Sequence, residues 1–237
     1  MSANPNAVAT PLDQRGAAYT TPRPDVFEMV PSAARQILDV GCSNGALGRS
    51  LVAGRADRSV CGIEFDPAFA SEAAKHLDYV VTADLNTLDF DTALADRRFD
   101  CIIFADVLEH LIEPRHCLVQ ASRFLQPGGC VVVSLPNIRH LSALRAIFLG
   151  GRFPQRDRGI FDRTHMRWFT ITDAHALLSD CGLQVSAMGL ALRWGDRGGG
   201  RMNRLLNALP RFVQQWAPVR EFLTYQLCLR ANPVHDR

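Results

Sequence analysis

The chain has 237 residues, 47% hydrophobic and 21% charged, a balance that suits a folded core and excludes disordered and collagen-like polymers. A formal net charge of +2 gives no basis for a nucleic-acid partner, and no apolar run reaches the roughly 18 residues of a membrane span. Seven scattered cysteines without a CxxC pair suit the reduced thiols of a cytoplasmic protein, not a disulfide framework or a zinc site, so no metal is expected.

Residues 1–22 are rich in Ala, Asn, Pro and Thr and read as a flexible arm, without the basic start and apolar core of a signal peptide. A single domain is expected from 23 to 237. A short helix over 25–30 leads into an apolar strand over 36–40 that ends at Gly41. A helix over 46–53, a strand over 59–64, a helix over 67–77 and a short strand over 79–83 follow. Residues 99–105, FDCIIFA, are continuously apolar, as in a strand covered on both faces.

Pro114 opens the next helix, where its missing N–H costs least. Cys117, Leu118, Ala121, Phe124 and Leu125 then form one buried stripe. A turn at 126–129 precedes the strand CVVVS over 130–134. This alternation of strand and helix predicts an α/β, doubly wound architecture around a mainly parallel sheet.

The rhythm then breaks. A helix is expected over 138–149, followed by a polar, arginine-rich segment over 150–169. A helix over 173–180 should close at Gly182, and the last strands should lie over 183–192 and 222–229. Between these strands, residues 202–216 are amphipathic with a break at Pro210. They suit a packed helix, a lid, a dimer surface or an interfacial helix.

The most informative segment is Ile37-Leu-Asp-Val-Gly-Cys-Ser-Asn-Gly45, a strand that ends in a tight loop before a helix. Open α/β sheets bind ligands at such strand ends, where glycine admits close backbone approach. A dinucleotide fingerprint would require glycine at 41, 43 and preferably 46, but the chain has Gly41, Ser43 and Ala46. That argues against a nicotinamide-dependent dehydrogenase.

The segment resembles the first motif of class I S-adenosylmethionine-dependent methyltransferases, Asp-x-Gly-x-Gly-x-Gly, through Asp39, Gly41 and Gly45, with Ser43 in place of the middle glycine. Four further segments fall in the family's order: Gly62-Ile-Glu64, Thr82-Ala-Asp84-Leu85, the run from Phe104 to Leu111, and Leu125-Gln-Pro-Gly-Gly129. The resemblance implies a seven-stranded, mainly parallel sheet with helices on both faces and S-adenosyl-L-methionine as cofactor. It assigns cofactor contacts to Asp39, Gly41, Cys42, Ser43, Gly45, Glu64, Asp84, Leu85, Ala105 and Asp106. Glu64 would accept from both ribose hydroxyls, and Asp84 with Leu85 would hold the adenine. Other readings stay open: Asp84 as a turn former, Glu64 as a strand-end charge, Asp106 and His110 as a helical pair.

Methyl transfer to a hydroxyl also requires a proton to leave, and histidine titrates near neutrality. His140 and His165, beyond the fifth strand, are therefore the expected catalytic residues, within an acceptor-pocket insertion over 138–172. There Asp162, Arg163, Arg167 and Trp168 are expected to bind substrate, unless the loop's arginines pair internally with Asp157 and Asp162. The stretch from Asp162 to Thr170 resembles bacterial methyltransferases associated with sugars and polysaccharides, and loosely the ubiquinone-biosynthesis O-methyltransferases. The expected acceptor is a small hydroxylated molecule, sugar or glycan-linked first and a quinol-type lipid next. The alternative function is a catalytically silent, cofactor-binding scaffold subunit; the chain is also compatible with a homodimer.

Overall fold

The structure, a computed structural model, describes residues 23–196 and 198–234. The arm expected over 1–22 lies outside them. A seven-stranded sheet has the order β3-β2-β1-β4-β5-β7-β6. Its strands are β1 (Gln36–Val40), β2 (Ser59–Glu64), β3 (Tyr79–Thr82), β4 (Phe99–Ala105), β5 (Leu125–Pro136), β6 (Leu183–Leu192) and β7 (Thr224–Pro233). β1 to β5 run parallel, and β7 lies antiparallel to both β5 and β6. The chain winds outward from β1 to β3, then returns to place β4 on the other side of β1. The switch point therefore falls between β1 and β4.

Period-two burial explains why these strands are apolar throughout. Leu38, Val40, Ile102, Phe104, Val131 and Val133 enter one core, while Ile37, Cys101, Ile103, Cys130 and Val132 enter the other. Each fully buried branched or aromatic side chain contributes on the order of 1.5–3 kcal/mol. The first core is covered by α5 (Pro114–Ser122) and α7 (Ile171–Asp180), the second by α1 (Pro24–Met29) and α2 (Ala46–Gly54).

α3 (Pro67–Ala73) stops short of 77 and is capped by Asp66, whose side chain accepts from the N–H groups of Ala68 and Phe69. α4 (Phe90–Leu94), capped by Asp89, was not expected from the sequence. α7 begins with a Thr170–Asp173 capping box, and Gly182 after it has φ +71°.

The largest departures lie after β5. The helix expected over 138–149 is only α6 (Leu141–Leu144), continued by a π-helical turn over Arg145–Leu149. The segment beyond is irregular. It is anchored by a satellite core of Ala143, Ile160, Phe161 and Tyr225, and by the bridge from Asn137 to Phe169. The amphipathic stretch divides into α8 (Gly200–Asn207), α9 (Arg211–Gln214) and α10 (Ala217–Leu223). α8 turns Asn203 and Asn207 toward β6, where their side-chain oxygens accept from the Trp194 and Leu192 N–H groups, and leaves Met202 and Leu205 exposed.

Candidate functional site

The carboxyl ends of β1 and β4 face one cavity of about 490 Å³, within the range of small-molecule sites. Its walls include Gly41, Ser43, Glu64, Phe65, Asp84, Leu85, Ala105, Asp106, Val107 and His110.

The loop after β1 is held by strand β2. Gly41 and Cys42 both donate their N–H groups to the Ile63 carbonyl, at 2.8 and 3.0 Å. Gly41, Ser43 and Gly45 adopt φ of +74°, +48° and +76°. A Cβ on Gly41 would stand 2.4 Å from Val107 Cγ2, so this position is shaped for glycine. Ser43 accepts the left-handed backbone at a cost of ~1–2 kcal/mol, and its buried Oγ has no partner among the described residues.

Glu64 ends β2 with its carboxylate fixed at both oxygens. Oε2 accepts from the Ser43 N–H at 2.8 Å and Oε1 from the Asp66 N–H at 2.9 Å. Each oxygen keeps a lone pair for a hydroxyl donor from the cavity. Asp84 does form a turn, its Oδ1 accepting from the Asn86 backbone and side-chain N–H groups at 2.9 Å, yet it also lines the cavity. Asn86 in turn accepts from the Ile112 N–H at 3.0 Å and ties this wall to the next. Phe65, 70% exposed on the same wall, offers an aromatic face that the sequence reasoning passed over.

Asp39, Cys42 and Gly45 support the loop from below and are absent from the cavity wall. Asp39 is 1% exposed, and burial together with Glu64 pushes its carboxyl up to about 7. The Cys42 thiol faces Gly62, where a Cβ would fall 2.5 Å from its sulfur, and burial pushes its pKa up.

Asp106 occupies a left-handed turn with φ +57°, so it does not share a helix face with His110. Its carboxylate accepts from Arg23, Gln226 and, at 3.4 Å, the Ser134 hydroxyl. Arg23 was missed in the sequence. It also donates to Asp25 at 2.8 Å and to Ser134 Oγ at 2.7 Å. This places a fixed cation against a carboxylate at one end of the cavity.

A second cluster stands where the insertion meets the cavity. Glu109 is 1% exposed, and neither of its carboxylate oxygens has a hydrogen-bond partner among the described residues. Burial and, secondarily, Asp106 push its carboxyl well above the usual range. The His110 and His165 rings meet edge to face with centroids 4.7 Å apart, and burial lowers the pKa of both. His110 lies on the cavity wall and His165 behind it. The Glu109 carbonyl accepts from the Met166 and Arg167 N–H groups, at 2.8 and 3.0 Å, and so docks the insertion onto the cavity.

Several expected site residues serve elsewhere. His140 is fully buried and caps α6: its Nδ1 accepts from the Ser142 N–H at 3.2 Å, and its Nε2 lies 2.9 Å from the Arg193 carbonyl. Both ring nitrogens are occupied, which corrects the expectation of a catalytic base. His140→Ala is expected to lower unfolding free energy by about 2–4 kcal/mol, through the lost cap, the unpaired carbonyl and the vacated space. Denaturant unfolding measures that loss, and unchanged ligand affinity would separate His140 from the cavity.

Asp162 is also buried, its Oδ1 accepting from the Thr164 N–H and hydroxyl at 2.9 and 2.6 Å, so it positions Thr164 instead of meeting substrate. Arg163 pairs with Asp157 at 2.5 Å, and Arg167 donates to the Ile112 carbonyl at 2.7 Å. Trp168 packs edge-on to Phe153 with centroids 5.1 Å apart. None of these four lines the cavity. Arg163 pairs within the loop, as the alternative reading expects, whereas Arg167 turns outward to Ile112 and Asp162 takes Thr164 in place of an arginine.

The doubly wound sheet, glycine loop and strand-end carboxylate define the class I S-adenosylmethionine-dependent methyltransferase architecture. The chain belongs to the methyltransferase domain family, whose model matches residues 12–187. It is 32% identical over 125 residues to a ubiquinone biosynthesis O-methyltransferase of Cereibacter sphaeroides, covering 52% of this chain and 50% of that protein. It is 29% identical over 134 residues to the Xylella fastidiosa protein of the same name, covering 55% and 53%. The matched stretch thus spans about half the length of these curated relatives.

Among solved structures, magnesium protoporphyrin IX methyltransferase of Synechocystis PCC 6803, with bound S-adenosylhomocysteine, has a TM-score of 0.58 at 17% identity, covering 99% of this chain and 90% of that one. A SAM-dependent methyltransferase of Aquifex aeolicus has a TM-score of 0.58 at 16% identity, covering 93% and 98%. At that identity the likeness concerns the fold. Among the described residues, no helix is long and apolar enough to cross a membrane.

Proposed function

We propose that this chain uses S-adenosyl-L-methionine to methylate a hydroxyl of a small acceptor, a quinol-type phenol in preference to a sugar. The observation that carries the reading is the doubly anchored Glu64 carboxylate facing the cavity above a loop that admits only glycine at Gly41. The orphaned Ser43 hydroxyl adds a buried polar atom in need of a partner.

These residues fit the cofactor. Glu64 would hold the ribose hydroxyls, Asp84, Leu85 and Phe65 the purine, and Gly41 with Ser43 the backbone-facing side. Arg23 and Asp106, oppositely charged neighbours, would complement the carboxylate and ammonium of the amino-acid end. When bound, the cofactor supplies a methyl group on a sulfonium, which leaves readily. The protein's share is to orient the acceptor, exclude water and take up a proton from the acceptor oxygen. Val107 and Leu111 give the cavity an apolar wall, while His110 brings an imidazole to its surface. The curated relatives' names and this apolar wall favour the phenolic acceptor; the sugar reading rests on the resemblance of the insertion alone.

Calorimetric titration with S-adenosylhomocysteine tests the cofactor assignment, with NAD as control. Micromolar binding is expected for the wild type, with a loss of about 100-fold or more in Glu64→Ala, since both anchored oxygens disappear. His165→Ala should leave that affinity nearly unchanged, and equal losses in both variants would undo the separation of cofactor and acceptor regions. A labelled-methyl screen should favour catechol-type phenols over sugars. Transfer only to sugars would reverse the acceptor order, and binding without transfer to any acceptor would make the chain a silent scaffold.

A further inference from the structure

We propose that Glu109, His110 and His165 form a binding site for one divalent transition-metal ion at the cavity wall, and that this ion receives the acceptor hydroxyl. One potential ligand atom from each residue lies within 4.8 Å of the others. His165 Nε2 stands 4.0 Å from Glu109 Oε1, a separation suited to two donors around a shared centre rather than to a direct hydrogen bond.

The independent observation is Glu109 itself. A carboxylate that is 1% exposed, with both oxygens unpartnered among the described residues, is costly unless a cation or proton joins it. Among the described residues no lysine or arginine forms an ion pair with it; the two imidazoles lie against it, and the charges near it are the Asp106 and Asp162 carboxylates and the Arg23 guanidinium. Arg23 is already committed to Asp25 and Asp106, so a cation bound by Glu109 itself would have to come from a metal ion.

The surroundings of the two rings match a metal site. His165 Nδ1 lies 3.2 Å from the Ile160 carbonyl, an acceptor only, so Nδ1 carries the proton and Nε2 keeps its lone pair. His110 Nδ1 lies 3.0 Å from Thr164 Oγ1, and that hydroxyl donates to Asp162 Oδ1 at 2.6 Å. The chain Asp162–Thr164–His110 orients the ring through Nδ1 and leaves Nε2 available. A carbonyl on one histidine and a carboxylate-backed hydroxyl on the other are typical outer supports of metal-binding imidazoles. Asp162 and Thr164 are therefore positioning residues, which accounts for two polar positions the cofactor does not use.

Two imidazoles and a carboxylate favour borderline divalent ions over magnesium or calcium. Three protein ligands also leave positions open for an oxygen from the cavity. The role in catalysis rests on the methyltransferase reading above. An acceptor hydroxyl on the ion gives its proton to water, and its oxygen retains the electron pair. That pair forms the new oxygen–carbon bond as the carbon–sulfur pair leaves with sulfur, so a neutral ether and a neutral thioether result. The ion supplies the acidification that a free histidine base would otherwise provide.

The test uses the full chain, stripped with EDTA and dialysed, then titrated with zinc, manganese and magnesium salts by calorimetry. One zinc per chain is expected, with manganese weaker and magnesium weakest. Glu109→Gln keeps the side-chain shape and should weaken zinc binding by about 50-fold or more, as should His165→Ala. Thermal unfolding with and without zinc gives a second readout: zinc should raise the midpoint of the wild type and not that of Glu109→Gln. S-Adenosylhomocysteine affinity, measured on the same samples, reports that the variants are folded and tests the methyltransferase reading separately. Full cofactor-product binding with no zinc uptake, or zinc uptake untouched by both substitutions, would overturn the site. Zinc binding that leaves the rate of methyl transfer unchanged would overturn its catalytic role.

Discussion

Replacing Gly41 by alanine is expected to lower the unfolding free energy by about 3 kcal/mol and S-adenosylhomocysteine affinity by about 100-fold. Two separate costs combine. The φ of +74° places a Cβ in the left-handed region, and the same Cβ falls 2.4 Å from Val107 Cγ2. Val107 cannot retreat cheaply, because it follows the left-handed Asp106 and is only 7% exposed within the first core. Either the loop after β1 shifts from the Ile63 carbonyl that holds it, or the turn after β4 shifts, and both belong to the cavity wall. A double-mutant cycle with Val107→Ala separates the terms. The steric share, about 1–2 kcal/mol, should be recovered in the pair, whereas the backbone share should remain. An alanine variant that binds S-adenosylhomocysteine as the wild type does would show that this loop is not the cofactor cradle.

The same loop explains what the sequence could disclose. Strands β1, β4 and β5 are legible because burial on both faces requires unbroken apolar runs, and the glycines between Val40 and Ala46 mark a backbone that side chains would block. Glu64 is legible because it ends β2, and Asp84 because it follows β3, both at the carboxyl edge of the sheet. Contacts between distant segments are not. His110 meets Thr164 across 54 residues, and Gln226 reaches Asp106 across 120, with no local pattern to announce either.

Histidine chemistry was equally opaque. His140 and His165 lie in the same insertion, but one caps α6 with both nitrogens occupied and the other faces a buried carboxylate. Only the surroundings distinguish them. The arginines show the opposite ambiguity: a loop crowded with donors suggests an anionic substrate, yet Arg163 finds Asp157, and Arg156 reaches beyond the loop to Asp196. Arg23 escaped notice because it stands at the junction with the arm, and its value comes from Asp106, 83 residues away.

Asp39→Asn is expected to make the protein more stable than the wild type at pH 8 and no more stable at pH 4. The Asp39 carboxyl, pushed up to about 7 from 3.8 by burial and by the Glu64 charge, holds a proton in the folded state that the unfolded chain has released. Between those values the native state binds more protons, so unfolding free energy falls as pH rises through the window. The full penalty is on the order of 4 kcal/mol above the window, and the neutral amide avoids it.

Asparagine brings its own cost of about 1–3 kcal/mol, because Oδ2 has no partner among the described residues and an N–H₂ there must find one. A net gain of about 1–3 kcal/mol at pH 8 follows from these opposing terms. Arg23 acts against the shift, and Cys42 faces Asp39 with its thiol held neutral by burial, so neither reverses the sign.

The buried histidines complicate the wild-type curve alone. His110, His140 and His165 have lowered folded values, so their contribution to stability rises with pH across the neighbouring range. Those terms are common to both proteins and cancel in the difference between wild type and variant. Urea unfolding at pH 4, 6 and 8 gives that difference directly. Curves that cross between about pH 4.5 and 6 would place an ionising carboxylate under the loop; a constant offset would mean that Asp39 titrates as an ordinary acid. If cofactor-product affinity falls in the variant while stability at pH 8 rises, the unpartnered charge is retained for binding at the expense of the fold.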